Sequence, residues 1–472
     1  MPSSCQYLER NGFWLESKKG ELNLTMHVTY PLLIPTGSPF PVTNIPFGIF
    51  STSESPEKRV GIAIGTYILD LAILEKHDLF LNCLNDDHIQ GAEPGAHVSR
   101  TSPFQQSSLN AFASLPSTIR TEVRTTIIAL LQDESSLLFT DSDLNNAVFH
   151  SQEEATMHLP MQVGDFTDFM CARIHVDNCS KLAGVSTPSN FHAFPTAYNG
   201  RSSSLVVSGT PILRPHGMLL PNPASHTYQF RPSKRIDYEV ELGFFVGKPV
   251  PFGERILSAD EAKEHIFGFV LLNDWSARDI QFAEMRPLGP FNGKGFATTI
   301  SPWVVTVDAL EEAEVEIADV EAVASMAGRP QHLRHEGKKQ TWSIGVEVKV
   351  MRSGWEGPVT VGRSDLKALY WSPGQMLSHH ASSGCGLRTG DLLGTGTISS
   401  PGKHAADEVS TLGCLHELNM AGSRPFMLKN GEEISWIEDG DEVIISGTIA
   451  GPQGSVIGFG DCTGLLESII AK

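Results

Sequence analysis

From Pro46 onward the chain shows short apolar runs that alternate with small and polar residues. Positions 47–50 are apolar, Val60, Ile62 and Ile64 alternate with small residues, and Gly65-Thr66 precede a second apolar run at 67–71. A period of two broken by a glycine predicts the hairpin of a small β domain. Ile119, Val123, Ile127 and Leu130 then recur every three to four residues after Ser117-Thr118, which predicts one amphipathic helix with Ser117 or Thr118 as its cap. Farther on the period returns to two. Trp342, Ile344, Val346, Val348 and Val350 share one face, and Ser343, Gly345, Glu347 and Lys349 the other, as in a half-buried antiparallel strand. Similar runs at 205–208, 443–449 and 456–459, with few helix-period segments between, predict a mainly β, α+β fold ending in a large β roll or sandwich. Residues 1–40 lack periodicity and are expected to form an extension, with a small domain over 41–155 and a large one over 156–472. The charged, poorly patterned stretch 311–339 is expected to be a long connection or an irregular insertion.

Composition narrows the function classes. A chain of 472 residues exceeds one hydrophobic core, and its 43 Gly and 29 Pro follow no repeat. The formal charge of -19 repels phosphate backbones and anionic lipid headgroups, so nucleic acid and membrane are not expected partners. Seven cysteines are scattered without a CxxC spacing and are expected to be buried free thiols. Glu9 and Arg10 fall where a secretory signal would be apolar, and no apolar run approaches the roughly 18 residues of a membrane span. The expected location is cytoplasmic.

Candidate chemistry lies in the carboxylates. In Asp237-Tyr238-Glu239-Val240-Glu241, strand alternation puts Glu239 and Glu241 on one face about 7 Å apart, and the apolar run that follows argues for burial. Two like charges buried together need a cation or raised pKa values. The apolar run 266–272 delivers Asp274 to a strand end. A third acidic source is Asp165-Phe166-Thr167-Asp168-Phe169, with His158 before it and His175 after it. Carboxylates with no histidine or cysteine at ligand spacing select a hard ion, Mg²⁺ or Ca²⁺, over zinc.

These motifs carry a resemblance. Gly164-Asp165-Phe166-Thr167-Asp168-Phe169 followed by His175, Ala155-Thr156-Met157-His158-Leu159-Pro160, Tyr198-Asn199-Gly200-Arg201-Ser202-Ser203, Leu272-Asn273-Asp274-Trp275-Ser276-Ala277-Arg278-Asp279-Ile280-Gln281 and Gly390-Asp391-Leu392-Leu393 stand in order from about Pro46 to the C-terminus. The chain resembles the eukaryotic fumarylacetoacetase family. The resemblance implies a small SH3-like N-terminal barrel, a C-terminal mixed β-sandwich roll and a homodimer. It further implies hydrolytic cleavage of a carbon-carbon bond in a small-molecule 1,3-diketo acid. By position, the implied metal ligands are Asp168, Glu239, Glu241 and Asp274. The implied base is His175, oriented by Glu417; Arg278, Gln281 and Lys294 are implied where negative charge develops, and Tyr198 and Thr397 against substrate. Relatives sharing the roll decarboxylate, hydrate or tautomerise oxo acids, and a non-catalytic binding paralogue is the alternative of another class; the His175–Glu417 pair favours hydrolysis.

The departures from the family pattern fall in the substrate pocket. Met170 and Met285 stand where the family has tyrosines, Gly184 where it has an arginine, and Asn199 where it has a histidine. Each charge-assisted bond lost removes about 1.5–3 kcal/mol of grip on a small diacid. Flexible apolar methionines suit a larger or less charged 1,3-diketone.

Overall fold

The computed structural model describes residues 27–84, 102–221, 227–402, 409–451 and 454–468, together with the short strands Glu9–Arg10 and Phe13–Trp14. Backbone proximity divides the chain into two units, 1–160 with 451–457 and 161–450 with 458–472. Of the extension expected over 1–40, most of the first 26 positions lie outside the described residues. Past them residues 27–40 are mostly exposed, with Val28 and Phe40 buried. The Val28 amide donates to Asn145 Oδ1 at 2.9 Å while Asn145 Nδ2 donates back to the Val28 carbonyl at 2.8 Å.

In the first unit the strands Phe47–Ser51, Arg59–Ile64 and Tyr67–Asp70 pair in sequence as an antiparallel meander. Thr156–His158 and Phe149–Ser151 close its two edges. The small residues between Val60, Ile62 and Ile64 answer to packing: a Cβ on Gly61 would meet Ile68 Cγ2 at 2.6 Å. The expected helix runs over Ser117–Gln132, but its cap is Pro116. Ser117 and Thr118 lie inside the first turn, and no side chain caps the end. Its inward stripe is Ile119, Val123, Ile127 and Leu131, with Leu130 off that stripe.

In the second unit a large mixed sheet runs in the order Leu205–Val207, Thr298–Ile300, Ile266–Asp274, Val240–Val246, Leu392–Gly394, Phe166–Phe169, Ala197–Gly200. A second sheet runs Ile212–Leu213, Cys462–Glu467, Glu442–Ala450, Gly345–Met351, Val359–Asp365. The two sheets obey different patterns for one reason. Every residue of Ile266–Asp274 and Val240–Val246 is buried, so these strands read as continuous apolar runs. Gly345–Met351 buries only Val346, Val348 and Val350, so it alternates. That strand is shorter than the pattern predicts, because Trp342 belongs to a separate pair, Thr341–Trp342 with Glu314–Val315. The stretch 311–339 holds part of a 3-10 turn, the strand Glu314–Val315, the helix Val320–Ser325 capped by Asp319, and two further 3-10 turns at Met326–Gly328 and Gln331–Leu333. The expected mainly β, α+β class stands.

Candidate active site

Register builds the acidic centre. Leu392–Gly394 runs parallel to Phe166–Phe169 with Gly394 opposite Asp168, and antiparallel to Val240–Val246 with Gly394 opposite Gly243. Val240–Val246 pairs in turn with Ile266–Asp274, placing Glu241 opposite Leu272. Hydrogen-bonded strands therefore supply Asp168, Glu241 and Asp274, each buried, with one carboxylate oxygen apiece within 4.8 Å of the others.

Several observations fit this group to a hard divalent cation. Asp168 Oδ1 and Glu241 Oε1 are buried with no hydrogen-bond partner among the described residues, a costly state for carboxylates in the absence of positive charge. Gly394 leaves the space between them: a Cβ there would meet Asp168 Oδ1 at 2.6 Å and Glu241 Oε2 at 3.0 Å. The donors are all oxygens, the set preferred by Mg²⁺ and Ca²⁺. Burial first, then the neighbouring carboxylates, pushes the Asp168 and Glu241 carboxyls well above their ordinary range.

Glu239 departs from the simple strand picture. The run from Asp237 to Glu241 is not one strand: Ile236–Asp237 pairs with Ser276–Ala277, and the long strand begins only at Val240. Glu239 lies outside the three-oxygen cluster. Its Oε1 stands 2.8 Å from Arg278 Nη2 and its Oε2 accepts from Lys294 Nζ, which also donates to Asp274 Oδ2 at 2.5 Å. Burial opposes the charged Glu239, but Lys294 and Arg278 outweigh it and hold this carboxyl below its usual range. Lys294 is itself raised, since Asp274 and Glu239 overcome its burial. Tyr198 donates its hydroxyl to Asp274 Oδ2 at 2.7 Å, and Thr298 donates to Oδ1 at 2.9 Å.

His175 sits on the helix Arg173–Leu182, whose buried positions are His175, Val176 and Ser180, too polar a set to signal a helix by periodicity. Its Nδ1 lies 2.8 Å from Glu417 Oε2, across 242 positions of sequence. Glu417 is fixed from other sides: Asn178 Nδ2 donates to Oε1 at 2.8 Å, Ser399 Oγ to Oε2 at 2.8 Å, and Cys414 Sγ to Oε2 at 3.2 Å. Burial disfavours the imidazolium, yet Cys179 and Glu417 outweigh it and the His175 pKa lies well above its ordinary value. The Glu417 carboxyl, despite its burial, is drawn down to about 2 by His175. Through its charge His175 also acts on Glu239, which ties this pair to the acidic centre.

Gln281, Arg278 and Lys294 are all buried, and Gln281 Oε1 accepts from Arg278 Nη1 at 3.1 Å. The expected pocket positions sit at element ends. Met170 follows Phe166–Phe169 and is 37% exposed, and half-buried Met285 ends the helix Arg278–Glu284. Gly184 has a φ of 70°, and a Cβ added to it would meet nothing within 4 Å, whereas Thr397 is only 2% exposed. Other residues of the acidic motif lie elsewhere. Asp165 is exposed and bound to Arg388 at 2.8 Å, and His158 bonds Ser51 within the first unit at 2.8 Å. The cysteines divide: Cys83, Cys171, Cys414 and Cys462 are buried as expected, whereas Cys179 is half-buried and Cys385 exposed. Sequence reasoning missed Asn178, Ser399, Thr298 and Asp237 as supports, though Asn178 stands one helical turn from His175 and Asp237 opens the acidic motif.

Fold and site define a class: a mixed-sheet enzyme scaffold whose centre joins buried carboxylates to an imidazole–carboxylate pair. Residues 43–160 match the family model Fumarylacetoacetase N-terminal, and residues 166–464 match Fumarylacetoacetate (FAA) hydrolase C-terminal. The chain belongs to the fumarylacetoacetase family. It is similar to fumarylacetoacetase of Emericella nidulans, at 41% identity over 92% of this chain and 97% of that protein. The Homo sapiens fumarylacetoacetase is 41% identical over 90% and 96%, and that of Arabidopsis thaliana 38% identical over 90% and 95%.

Proposed function

We propose that this chain is a metal-dependent hydrolase that cleaves the carbon-carbon bond of a 1,3-diketo acid, converting fumarylacetoacetate to fumarate and acetoacetate or acting on a related larger 1,3-diketone. The observation that carries the reading is the 2.8 Å contact between His175 Nδ1 and Glu417, in electrostatic reach of the acidic centre. With Nδ1–H held by Glu417, Nε2 keeps its lone pair and can take a proton from water. The oxygen of that water bonds to a carbonyl carbon, the adjacent carbon-carbon bond breaks, and the departing carbanion accepts a proton. Two acids leave. Lys294, Arg278 and Gln281 are buried donors suited to hold the oxyanion and enolate, where charge develops in a water-poor site. Asp168, Glu241 and Asp274, with Glu239 beside them, would hold Mg²⁺ or Ca²⁺, which supplies Lewis acidity to the diketone oxygens.

The relatives named fumarylacetoacetase support the reaction. Met170, Met285 and Gly184 support a roomier, less cationic pocket than the family pattern provides. We place the enzyme in the cytoplasm as a homodimer. No described helix is long and apolar enough to cross a membrane. The test is product analysis with fumarylacetoacetate and Mg²⁺: fumarate and acetoacetate in equal amounts are expected. Carbon dioxide with a single acid would mark a decarboxylase, and full turnover by His175→Ala would remove the proposed base.

A further inference from the structure

Around His175 the structure gathers a second set of metal-binding side chains, different in kind from the oxygen-only centre. His175, Cys414 and Glu417 are buried and each offers a ligand atom within 4.8 Å of the others. A second thiol joins them. Cys179, one helical turn beyond His175, places Sγ 3.6 Å from Nε2 and 3.9 Å from Nδ1. Cys414 Sγ lies 3.2 Å from Glu417 Oε2, which lies 2.8 Å from His175 Nδ1. A tetrahedral zinc ion, with bonds near 2.0–2.3 Å, holds its ligand atoms roughly 3.3–3.8 Å apart. Three of these donors lie near that spacing: the His175–Glu417 and Cys414–Glu417 contacts must open by about half an ångström or less, and Cys179, 3.9 Å from Nδ1 and outside the group of three, must turn toward the ion.

We propose that His175, Cys414, Glu417 and Cys179 form a soft-cation site that takes Zn²⁺ and, when filled, captures the imidazole needed for hydrolysis. Two thiols, an imidazole and a carboxylate form a donor set that favours zinc or cobalt over the hard ions of the carboxylate cluster. The two sites therefore sort metals by chemistry. Binding displaces the Cys414 and Cys179 protons to solvent, the His175 Nδ1 proton passes to Nε2 or to solvent so that Nδ1 can ligate, and no oxidant is required. Neither thiol acts on substrate in the proposed hydrolysis, although Cys414 donates to Glu417 and Cys179 lies against the imidazole. Their common placement against the His175–Glu417 pair, from the helix Arg173–Leu182 and from the position before Leu415–Leu418, is what the proposal explains.

The test uses the full chain with Cys5 and Cys385 changed to Ser, because exposed Cys385 lies 3.5 Å from His380 Nδ1 and would report its own cobalt binding. Saturating Mg²⁺ occupies the oxygen site. Titration with Co²⁺ is expected to give an intense near-ultraviolet sulfur-to-cobalt band that saturates at one equivalent per chain. Cys414→Ser should abolish it. Cys179→Ser, at a half-buried position that folding tolerates more readily, should lower its intensity by about half, since one of two thiolates is lost. No band in the parent, or an undiminished band in either variant, overturns the assignment. This spectroscopic arm holds whether or not the hydrolytic reading does. In the kinetic arm, which rests on that reading, Zn²⁺ added to the Mg²⁺-loaded parent should slow turnover at least about tenfold, because a captured imidazole no longer serves as general base. The rate ratio with and without Zn²⁺ should return to near one in Cys414→Ser. Full turnover while the cobalt band is saturated would remove His175 from the ligand set.

Discussion

Asp237 and Arg278 form a buried pair in which Arg278 Nε donates to Asp237 Oδ2 at 2.9 Å and Nη2 stands 2.7 Å from the same oxygen. The carboxylate serves a second element as well, since Oδ1 accepts from the Leu415 amide at 2.7 Å and Oδ2 from the His416 amide at 3.0 Å. One side chain thus sets both the guanidinium beside Glu239 and the turn that carries Glu417. Asp237→Ala leaves Arg278 buried without that partner. The expected cost is about 3–5 kcal/mol, read as a lower urea midpoint. An unchanged midpoint would show that the pair carries no such weight.

His175→Ala removes the proposed proton acceptor while leaving the carboxylate cluster intact. The expected fall in kcat is about 10²–10⁴-fold, with KM altered far less. A variant that loses KM and keeps kcat would assign His175 to binding instead.

The raised pKa of His175 fixes the direction of the pH response. A base works only when neutral, so kcat/KM should climb as pH rises through a midpoint above 6.5, the ordinary histidine value. Stability should run the other way over that window. A group raised in the folded state stabilises below its unfolded value near 6.5, and that contribution is lost as pH rises through the folded value. Glu417, held down to about 2, stabilises above 4.5 and loses its contribution as pH falls toward 2. Glu417→Gln should move the acid limb of kcat/KM downward. A limb that stays put would mean that Glu417 does not set the imidazole.

Cation binding should be visible without substrate. A ligand at a hundred times its Kd stabilises by about 2.7 kcal/mol, so Mg²⁺ or Ca²⁺ should raise the thermal midpoint and a chelator should lower it. Asp168→Asn should lose that increment without melting earlier in chelator, because it also removes one of three mutually repelling carboxylates. An intact Mg²⁺ increment in Asp168→Asn would exclude Asp168 as a ligand.

Restoring the family side chains tests the pocket. Met170→Tyr, Met285→Tyr and Gly184→Arg together should lower KM for fumarylacetoacetate by about tenfold or more, the worth of one or two charge-assisted bonds. The substitution at position 184 is expected to cost about 1 kcal/mol of stability, as φ there is 70°, though space for its Cβ is free. A KM for the diacid that does not move would detach these positions from substrate.

The parts of the molecule legible in sequence are those with local periodicity. Val60, Ile62 and Ile64 announce a strand because alternation survives in a short sheet, and Asp274 reads as a strand end because 266–272 is uniformly apolar. The helix under His175 is not legible, since Val176 is its only buried apolar side chain. Nor is the sulfur set: Cys179 and Cys414 meet at one imidazole only through tertiary folding, and no ligand spacing marks two thiols 235 positions apart. Residues that support the site from loops or from a polar helix face, such as Ser399 and Asn178, carry no pattern of their own.

Because Asp168, Glu241 and Asp274 ride on strands of one sheet joined through Leu392–Gly394, their meeting point exists in only one alignment of those strands. A slip of one residue in any of them would turn its carboxylate to the opposite face. Cation affinity is accordingly a gauge of sheet alignment, and a chain folded out of step would be inert at this centre however compact it was.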